Sequence, residues 1–252
     1  MKKIVVANWK MNPVSLKEAE RLFGKIVKSI PRLKNTDVVV CPPVLYLEEL
    51  EEISKKIILG AQNVFGYDVG PHTGEVSSEM LYNIGARYTI VGHSERREMG
   101  EKSINISKKI KALLSSSITP ILCIGEKERD ENHGYFNVVK TELLDSLADI
   151  SKDQIPRIII AYEPIWAIGN GAKPATATEF FEMNLFIKKV LSDKFGMKMT
   201  AKVRILYGGS VDEKNAEEFI KVGKADGFLV GRASLDVKKF SEIVKICEVS
   251  NR

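Results

Sequence analysis

Val203-Arg204-Ile205-Leu206-Tyr207-Gly208-Gly209-Ser210 and, one helix-length later, Gly227-Phe228-Leu229-Val230-Gly231-Arg232-Ala233-Ser234 decide how the whole chain is read. Each is a short apolar run, too brief for a helix, that closes on a glycine turn. A strand with one wet face is apolar at every second position, whereas a strand buried on both faces is apolar throughout. These two runs are of the second kind. A helix between two such strands is the repeating unit of a parallel sheet covered by helices.

The same signal recurs at Ile4–Ala7, Asp37–Cys41, Ile57–Ala61, Tyr88–Val91, Thr119–Ile124 and Arg157–Tyr162, which makes eight runs in all. Helix signals fill the intervals. Ser15-Leu16-Lys17-Glu18 reads as a capping box, with hydroxyl and carboxylate placed for the first unpaired amides. Behind it Leu16, Ala19, Leu22, Phe23, Ile26, Val27 and Ile30 form one apolar stripe. Thr176-Ala177-Thr178-Glu179 repeats the cap before Phe180, Met183, Ile187, Val190 and Leu191, and the last helix shows Phe240, Ile243, Val244 and Cys247. A short helix is expected around Ser77–Ile84. Eight strand–helix units of about 31 residues predict an α/β fold, a single (β/α)8 barrel, better than an open sheet. No linker or change of composition interrupts residues 1–252, so one domain is expected.

Composition excludes several classes. The 38 basic and 33 acidic residues are spread along the chain and leave a net charge of +5. A nucleic-acid binder concentrates its cations in a patch or tail, so no nucleic-acid partner is expected. No apolar stretch approaches the ~20 residues that span a bilayer, and the apolar part of the N-terminus is too short for a signal peptide. Cys41, Cys123 and Cys247 are far apart and odd in number, which fits reduced thiols and a cytoplasmic location.

In such barrels chemistry sits at the C-terminal ends of the strands. Two groups stand out there. The glycine turns after strands seven and eight each open a helix and aim backbone N–H groups at one place, as a phosphate site requires. Either turn alone is explained by tight geometry; two at neighbouring strands point to an anion. The second group is Lys10, His93 and Glu163, from the ends of strands one, four and six. A cation, an imidazole and a carboxylate around one mouth suit proton transfer beside a carbonyl. A base takes the C–H proton, and the donors hold the charge that grows on oxygen. The set is poor for a transition metal, so no metal is expected. Singly, each residue has a structural reading as well, and Lys10 could simply pair with Glu95. Other candidates read as bland: His72 and His133 as solvated loop residues, Cys123 as a packed thiol, and the charged run 127–131 as a solvated loop or helix start.

Four segments carry a resemblance: Asn8-Trp9-Lys10-Met11-Asn12, Val91-Gly92-His93-Ser94-Glu95-Arg96-Arg97, Ala161-Tyr162-Glu163-Pro164-Ile165-Trp166-Ala167-Ile168-Gly169 and Tyr207-Gly208-Gly209-Ser210-Val211. Together with Gly60–Asn63, Thr73–Glu75 and Gly227–Gly231, in this order from end to end, the chain resembles the triosephosphate isomerase family. The resemblance implies a TIM barrel that interconverts dihydroxyacetone phosphate and glyceraldehyde 3-phosphate without a cofactor, a step of glycolysis and gluconeogenesis. It implies Glu163 as the base, His93 as the electrophile, Lys10 as positive charge for enediolate and phosphate, and Asn8 as an orienting residue. Glu95 would anchor Lys10. The amides of Gly169, Ser210, Gly231 and Arg232 would hold the phosphate, and Pro164–Ala175 would form a closing lid.

The lid departs from the common Thr-Gly-Lys continuation: it reads Asn170-Gly171-Ala172-Lys173-Pro174, one residue longer at its far hinge. The turn after strand eight is Gly231-Arg232 where many relatives carry two glycines, so the Arg232 side chain is expected to point away while its amide serves. The long, partly apolar loop 62–78 implies, by the same resemblance, a homodimer. A Schiff-base aldolase would need a lysine where strand six carries Glu163. A non-catalytic sugar-phosphate binding barrel could keep the glycines and lose Glu163 or His93, and both are present.

Overall fold

The computed structural model of the protein describes residues 1–169 and 174–250. Eight parallel strands close into a barrel in sequence order: β1 (Lys3–Asn8), β2 (Thr36–Cys41), β3 (Ile58–Ala61), β4 (Tyr88–Val91), β5 (Thr119–Ile124), β6 (Ile159–Tyr162), β7 (Arg204–Tyr207) and β8 (Gly227–Val230). Closure is made by β1 on β8, with Ile4 opposite Gly227 and Ala7 opposite Val230. Around the barrel run α1 (Leu16–Ser29), α2 (Leu47–Ile53), α3 (Ser78–Asn83), α4 (Ser94–Glu98), α5 (Ser103–Ser115), α6 (Tyr135–Ser146), α7 (Ala177–Phe195), α8 (Met197–Thr200), α9 (Ala216–Lys221) and α10 (Val237–Val249).

The alternation hidden in the apolar runs becomes visible in the packing. Ile4, Val6, Val39, Ile90, Ile121 and Leu206 belong to one buried cluster with Cys41 and Cys123, which fills the barrel. Their strand neighbours Val5, Ala7, Val38, Val40 and Val91 belong to a second, larger cluster shared with the helices. Every strand is thus wet on neither face, which is why the sequence shows no polar alternation.

Between β6, β7, α7 and α9 an aromatic group locks the two strand ends. Tyr207 stacks on Phe219 at 3.9 Å, and Phe180 meets Tyr207 at 5.4 Å and Tyr162 at 6.3 Å. Phe180 is fully buried, and truncating such a ring costs about 3–5 kcal/mol. This packing sets the spacing between the strand that ends at Glu163 and the one that ends at Gly208.

Three local expectations need correction. The run at 157 becomes β6 only at Ile159, because Ile155–Arg157 wind into a 3-10 turn with proline in its first positions. At Ser15 the hydroxyl accepts from Glu18 N–H as half of a capping box, while Thr176 and Glu179 form the full reciprocal box. A further short helix, α8, supplements the simple one-helix-per-strand scheme, while α4 opens at Ser94 directly after His93. Among the described residues no helix is long and apolar enough to cross a membrane.

Candidate active site

All the rim residues singled out from sequence line one cavity of about 710 Å³ at the C-terminal mouth of the barrel. Asn8, Lys10, His93, Glu95 and Glu163 form its floor and one wall; Gly169, Ser210, Gly231 and Arg232 form the other.

Lys10 follows β1 in the left-handed region, at φ 53°, a conformation that costs a side-chain-bearing residue energy and persists only when neighbours enforce it. They do so here. Its N–H donates to Asn8 Oδ1 at 3.0 Å, and its carbonyl accepts from Gln62 Nε2 at 2.8 Å, while Gln62 also donates to Cys41 O at 2.9 Å. The Lys10 ammonium reaches Glu95 at 2.6 Å, and a Cβ on Gly231 would lie 3.7 Å from Lys10 Cε. The cation therefore lies against the turn after β8, between the two groups of candidates. Ser234 binds that turn in place, donating to Gly231 O at 2.6 Å and to Asn8 O at 3.4 Å.

His93 caps α4, and its Nδ1 accepts the Glu95 N–H at 3.2 Å. An accepting nitrogen carries no proton, so the donor of the neutral ring is Nε2. Nε2 lies 3.3 Å from Glu163 Oε1, with both side chains almost wholly buried. Glu163 Oε2 accepts the Ser94 N–H at 3.0 Å, and its own N–H donates to Ile124 O at 2.8 Å. The carboxylate is thus held as an acceptor, facing a donor that can also serve a substrate oxygen.

The base of the lid is anchored by a residue that the sequence does not single out. Glu126 is 1% exposed. Its Oε1 accepts from Tyr162 Oη at 2.7 Å, Trp166 Nε1 at 2.8 Å and Arg129 Nε at 3.2 Å. Arg129 also lies over the Trp166 ring at 5.3 Å and the Tyr135 ring at 4.8 Å. Burial, reinforced by the Glu126 charge, pushes the Tyr162 phenol far above its ordinary range. The charged run 127–131 is therefore not simply solvated: its Arg129 is largely buried and holds the lid base. The signal that could have found it is an acid and an arginine three residues apart, beside two aromatic residues at neighbouring strand ends. Farther along, Ser210 Oγ donates to Ala167 O at 2.8 Å, and Gly169 stands exposed at φ 115°. The altered hinge Asn170–Lys173 lies outside the described residues.

Loop 62–78 turns back on itself through Phe65 N–H to Val76 O at 2.8 Å. Tyr67 and Val69 are 49% and 60% exposed. Tyr67 is braced by Lys108, whose ammonium donates to its hydroxyl at 2.7 Å. His72 and His133 are exposed loop residues, as expected, and each lies against an aromatic ring: His72 on Phe65 at 4.6 Å and His133 on Tyr135 at 5.7 Å. All three cysteines are free and buried.

The triosephosphate isomerase family model matches residues 3–247. The chain is 42% identical over 249 residues to the triosephosphate isomerase of Endomicrobium trichonymphae, covering 97% of this chain and 98% of the relative. It is 41% identical to that of Aquifex aeolicus, over 97% and 99% of the two chains. It is 42% identical to that of Carboxydothermus hydrogenoformans, over 97% and 98%.

Proposed function

The chain belongs to the triosephosphate isomerase family and interconverts dihydroxyacetone phosphate and D-glyceraldehyde 3-phosphate, and we propose that Glu163 carries the proton between the two carbons. Glu163 removes a proton from C1 of the ketose, the C–H electrons form the C1–C2 double bond, and the C2 carbonyl oxygen becomes the enediolate oxygen. His93 Nε2–H donates to that oxygen, and Lys10 supplies the nearby positive charge. Glu163 then returns its proton to C2, where the C1–C2 π electrons form the new C–H bond, while a separate proton, that of the C1 hydroxyl, passes by way of His93 to the C2 oxygen and leaves C1 as the aldehyde carbonyl. Nothing is oxidised or reduced overall, and these side chains hold every proton that moves. Asn8 keeps Lys10 in its strained conformation and so places its ammonium.

The phosphate belongs at the turns after β7 and β8, with the amides of Ser210, Gly231, Arg232 and Gly169 as donors. An enediolate left in water expels phosphate, so a lid that covers it protects the product. Glu95 orients Lys10 and, through its N–H, the His93 ring. The observation that carries this reading is the 3.3 Å approach of His93 Nε2 and Glu163 Oε1 in the cavity that also holds Lys10.

A coupled assay of wild type against Glu163→Asp tests it. Loss of about 10²-fold or more in kcat is expected, because the variant keeps the charge and retracts it by one methylene. A variant that turns over as fast as wild type would overturn the assignment.

The reading extends to organisation and assembly. Residues 1–252 act as one cytoplasmic domain that forms a homodimer through loop 62–78, with no nucleic acid or membrane as partner. The exposed, braced Tyr67 and Val69 support that interface. Light scattering should give twice the chain mass, and Tyr67→Asp should shift it toward one chain.

A further inference from the structure

Arg97 is a buried cation that proton transfer, as described, does not use. Its side chain is 12% exposed. From the fourth residue of α4 the guanidinium folds back beneath the helix and spends its donors on two strands at once. Nε donates to Gly92 O at 2.8 Å, Nη2 to Cys123 O at 3.1 Å and Ser146 Oγ at 3.4 Å, and Nη1 to Ser103 Oγ at 3.2 Å. Glu142 Oε1 lies 3.8 Å from Nη1, and Glu142 Oε2 accepts the Gly125 N–H at 3.0 Å.

The positions of these acceptors matter. The β4–β5 ladder runs in register to Val91 opposite Leu122 and stops there. The next pair in that register would be Gly92 and Cys123, and both of their carbonyls go to Arg97. The guanidinium thus continues by one step the tie between strands where the ladder ends. Gly92 is bound directly to His93. Gly125 packs on the other partner: a Cβ there would lie 1.7 Å from Glu163 O. Gly92 itself sits at φ 68°, and a Cβ on it would meet Arg97 Nη2 at 3.1 Å, so the missing side chain makes the room that the guanidinium fills.

We propose that Arg97, paired with Glu142, is a positioning residue for the isomerisation: it sets the separation of His93 and Glu163 by tying the end of β4 to the end of β5. A buried ion pair is a poor source of stability compared with apolar packing. A rigid planar fork that binds two carbonyls and a carboxylate is, however, well suited to fix geometry. Lysine, with one rotatable charge, cannot make the same set of bonds. Burial holds the Glu142 carboxyl above the ordinary carboxylate range while Arg97 pulls it down, so losing the guanidinium removes its main counter-charge.

The inference rests on the roles given above to His93 and Glu163, and its test separates the two. In Arg97→Ala, kcat should fall about 10²-fold with KM within about threefold of wild type, as a displaced pair of reacting groups demands. Tens of millimolar guanidinium should restore at least about tenfold of that loss in the variant, while methylammonium, a charge without the fork, should not. A purely structural arginine would lower the melting temperature without this selective rescue. Should Arg97→Ala fail to fold, Glu142→Gln keeps the shape and removes the counter-charge; its kcat should fall about fivefold or more at unchanged KM and unchanged circular dichroism. Arg97→Ala within threefold of wild type, rescue by both cations alike, or wild-type kcat in a folded Glu142→Gln would each overturn the clamp. Wild-type activity in Glu163→Asp would overturn the site assignment instead, whatever the Arg97 variants do.

Discussion

Glu163 sits where two glycines leave room for it, and these differ in kind. A Cβ on Gly125 would lie 1.7 Å from the Glu163 carbonyl oxygen, whereas one on Gly208 would lie 2.9 Å from its Cγ. The first collision is with backbone and forces the strand end to move. The second is with a side chain that can turn aside. Gly125→Ala should therefore lose about 10²-fold in kcat and also melt earlier, while Gly208→Ala should lose about tenfold and keep most of its stability. Steady-state kinetics beside thermal melts check this, and a Gly208 variant worse than the Gly125 variant in both would contradict it. At this scale the sequence shows the site well. Lys10, His93 and Glu163 stand out because barrel topology turns strand ends into a rim, and the cavity contains all of them. What it hides are residues whose work is set by partners distant in the chain. Gln62 clamps Lys10 from 52 positions away, and Arg97 reaches Cys123 across 26. Neither has a local pattern that announces the partner.

At the scale of elements, periodicity placed β4, β5 and β8 with their observed ends, because buried parallel strands are bounded sharply by glycine and polar turns. It missed the start of β6, where Pro156 holds Arg157 in a turn, and the four-residue α8, which is too short to make a stripe, although the short α3 stood where it was expected. The lid base was legible as an apolar segment, yet its anchor was not, since Glu126 meets Trp166 across 40 positions and no local pattern links them. In Glu126→Gln the Trp166 N–H and the Tyr162 hydroxyl compete for one neutral acceptor, and Arg129 loses its carboxylate. Hydrogen bonds to charged groups are worth about 1.5–3 kcal/mol each, so unfolding free energy should drop by about that amount. The loosened 3-10 turn at Ile165–Ala167 should lower kcat about tenfold by letting the lid close without registry. Trp166 reports the change directly. The other tryptophan, Trp9, is fully buried and makes no bond to Glu126, so a red shift of emission in the variant is attributable to Trp166 gaining solvent. Unchanged emission with unchanged kcat would sink the anchor role.

The molecule as a whole buries an unusual set of weak acids in their neutral forms, and this fixes how its stability must respond to alkali. Burial raises the thiols of Cys41 and Cys123, which sit inside the barrel, and pushes the Cys247 thiol in the helix layer up to about 12. Burial likewise raises the Tyr162 and Tyr207 phenols, with Glu126 and Glu179 adding to it. In the unfolded chain each returns to its ordinary value, 9.0 for the thiols and 10.0 for the phenols. Above pH 9 the unfolded chain therefore binds fewer protons than the folded one. Stability that is fully present below pH 9 must fall as pH rises. Lys109 runs the other way: burial lowers its ammonium despite the pairing with Glu101, so between its folded and ordinary values the unfolded chain holds the extra proton. One such group opposes three thiols and then three phenols, since burial raises Tyr135 as well, and the sum stays downward. Each raised acid contributes a slope approaching about 1.4 kcal/mol per pH unit, so the thiols together tend toward about 4. Urea unfolding should show a plateau to about pH 8 and a steep decline through pH 10. Cys247→Ala removes one of the three. Its plateau is lower by the cost of the lost packing, but its decline between pH 9 and pH 11 should be shallower by about 1.4 kcal/mol per unit. The difference in slope separates titration from packing, since a cavity costs the same at every pH. Parallel declines in wild type and variant would show that Cys247 ionises as readily inside the barrel's helix layer as in water.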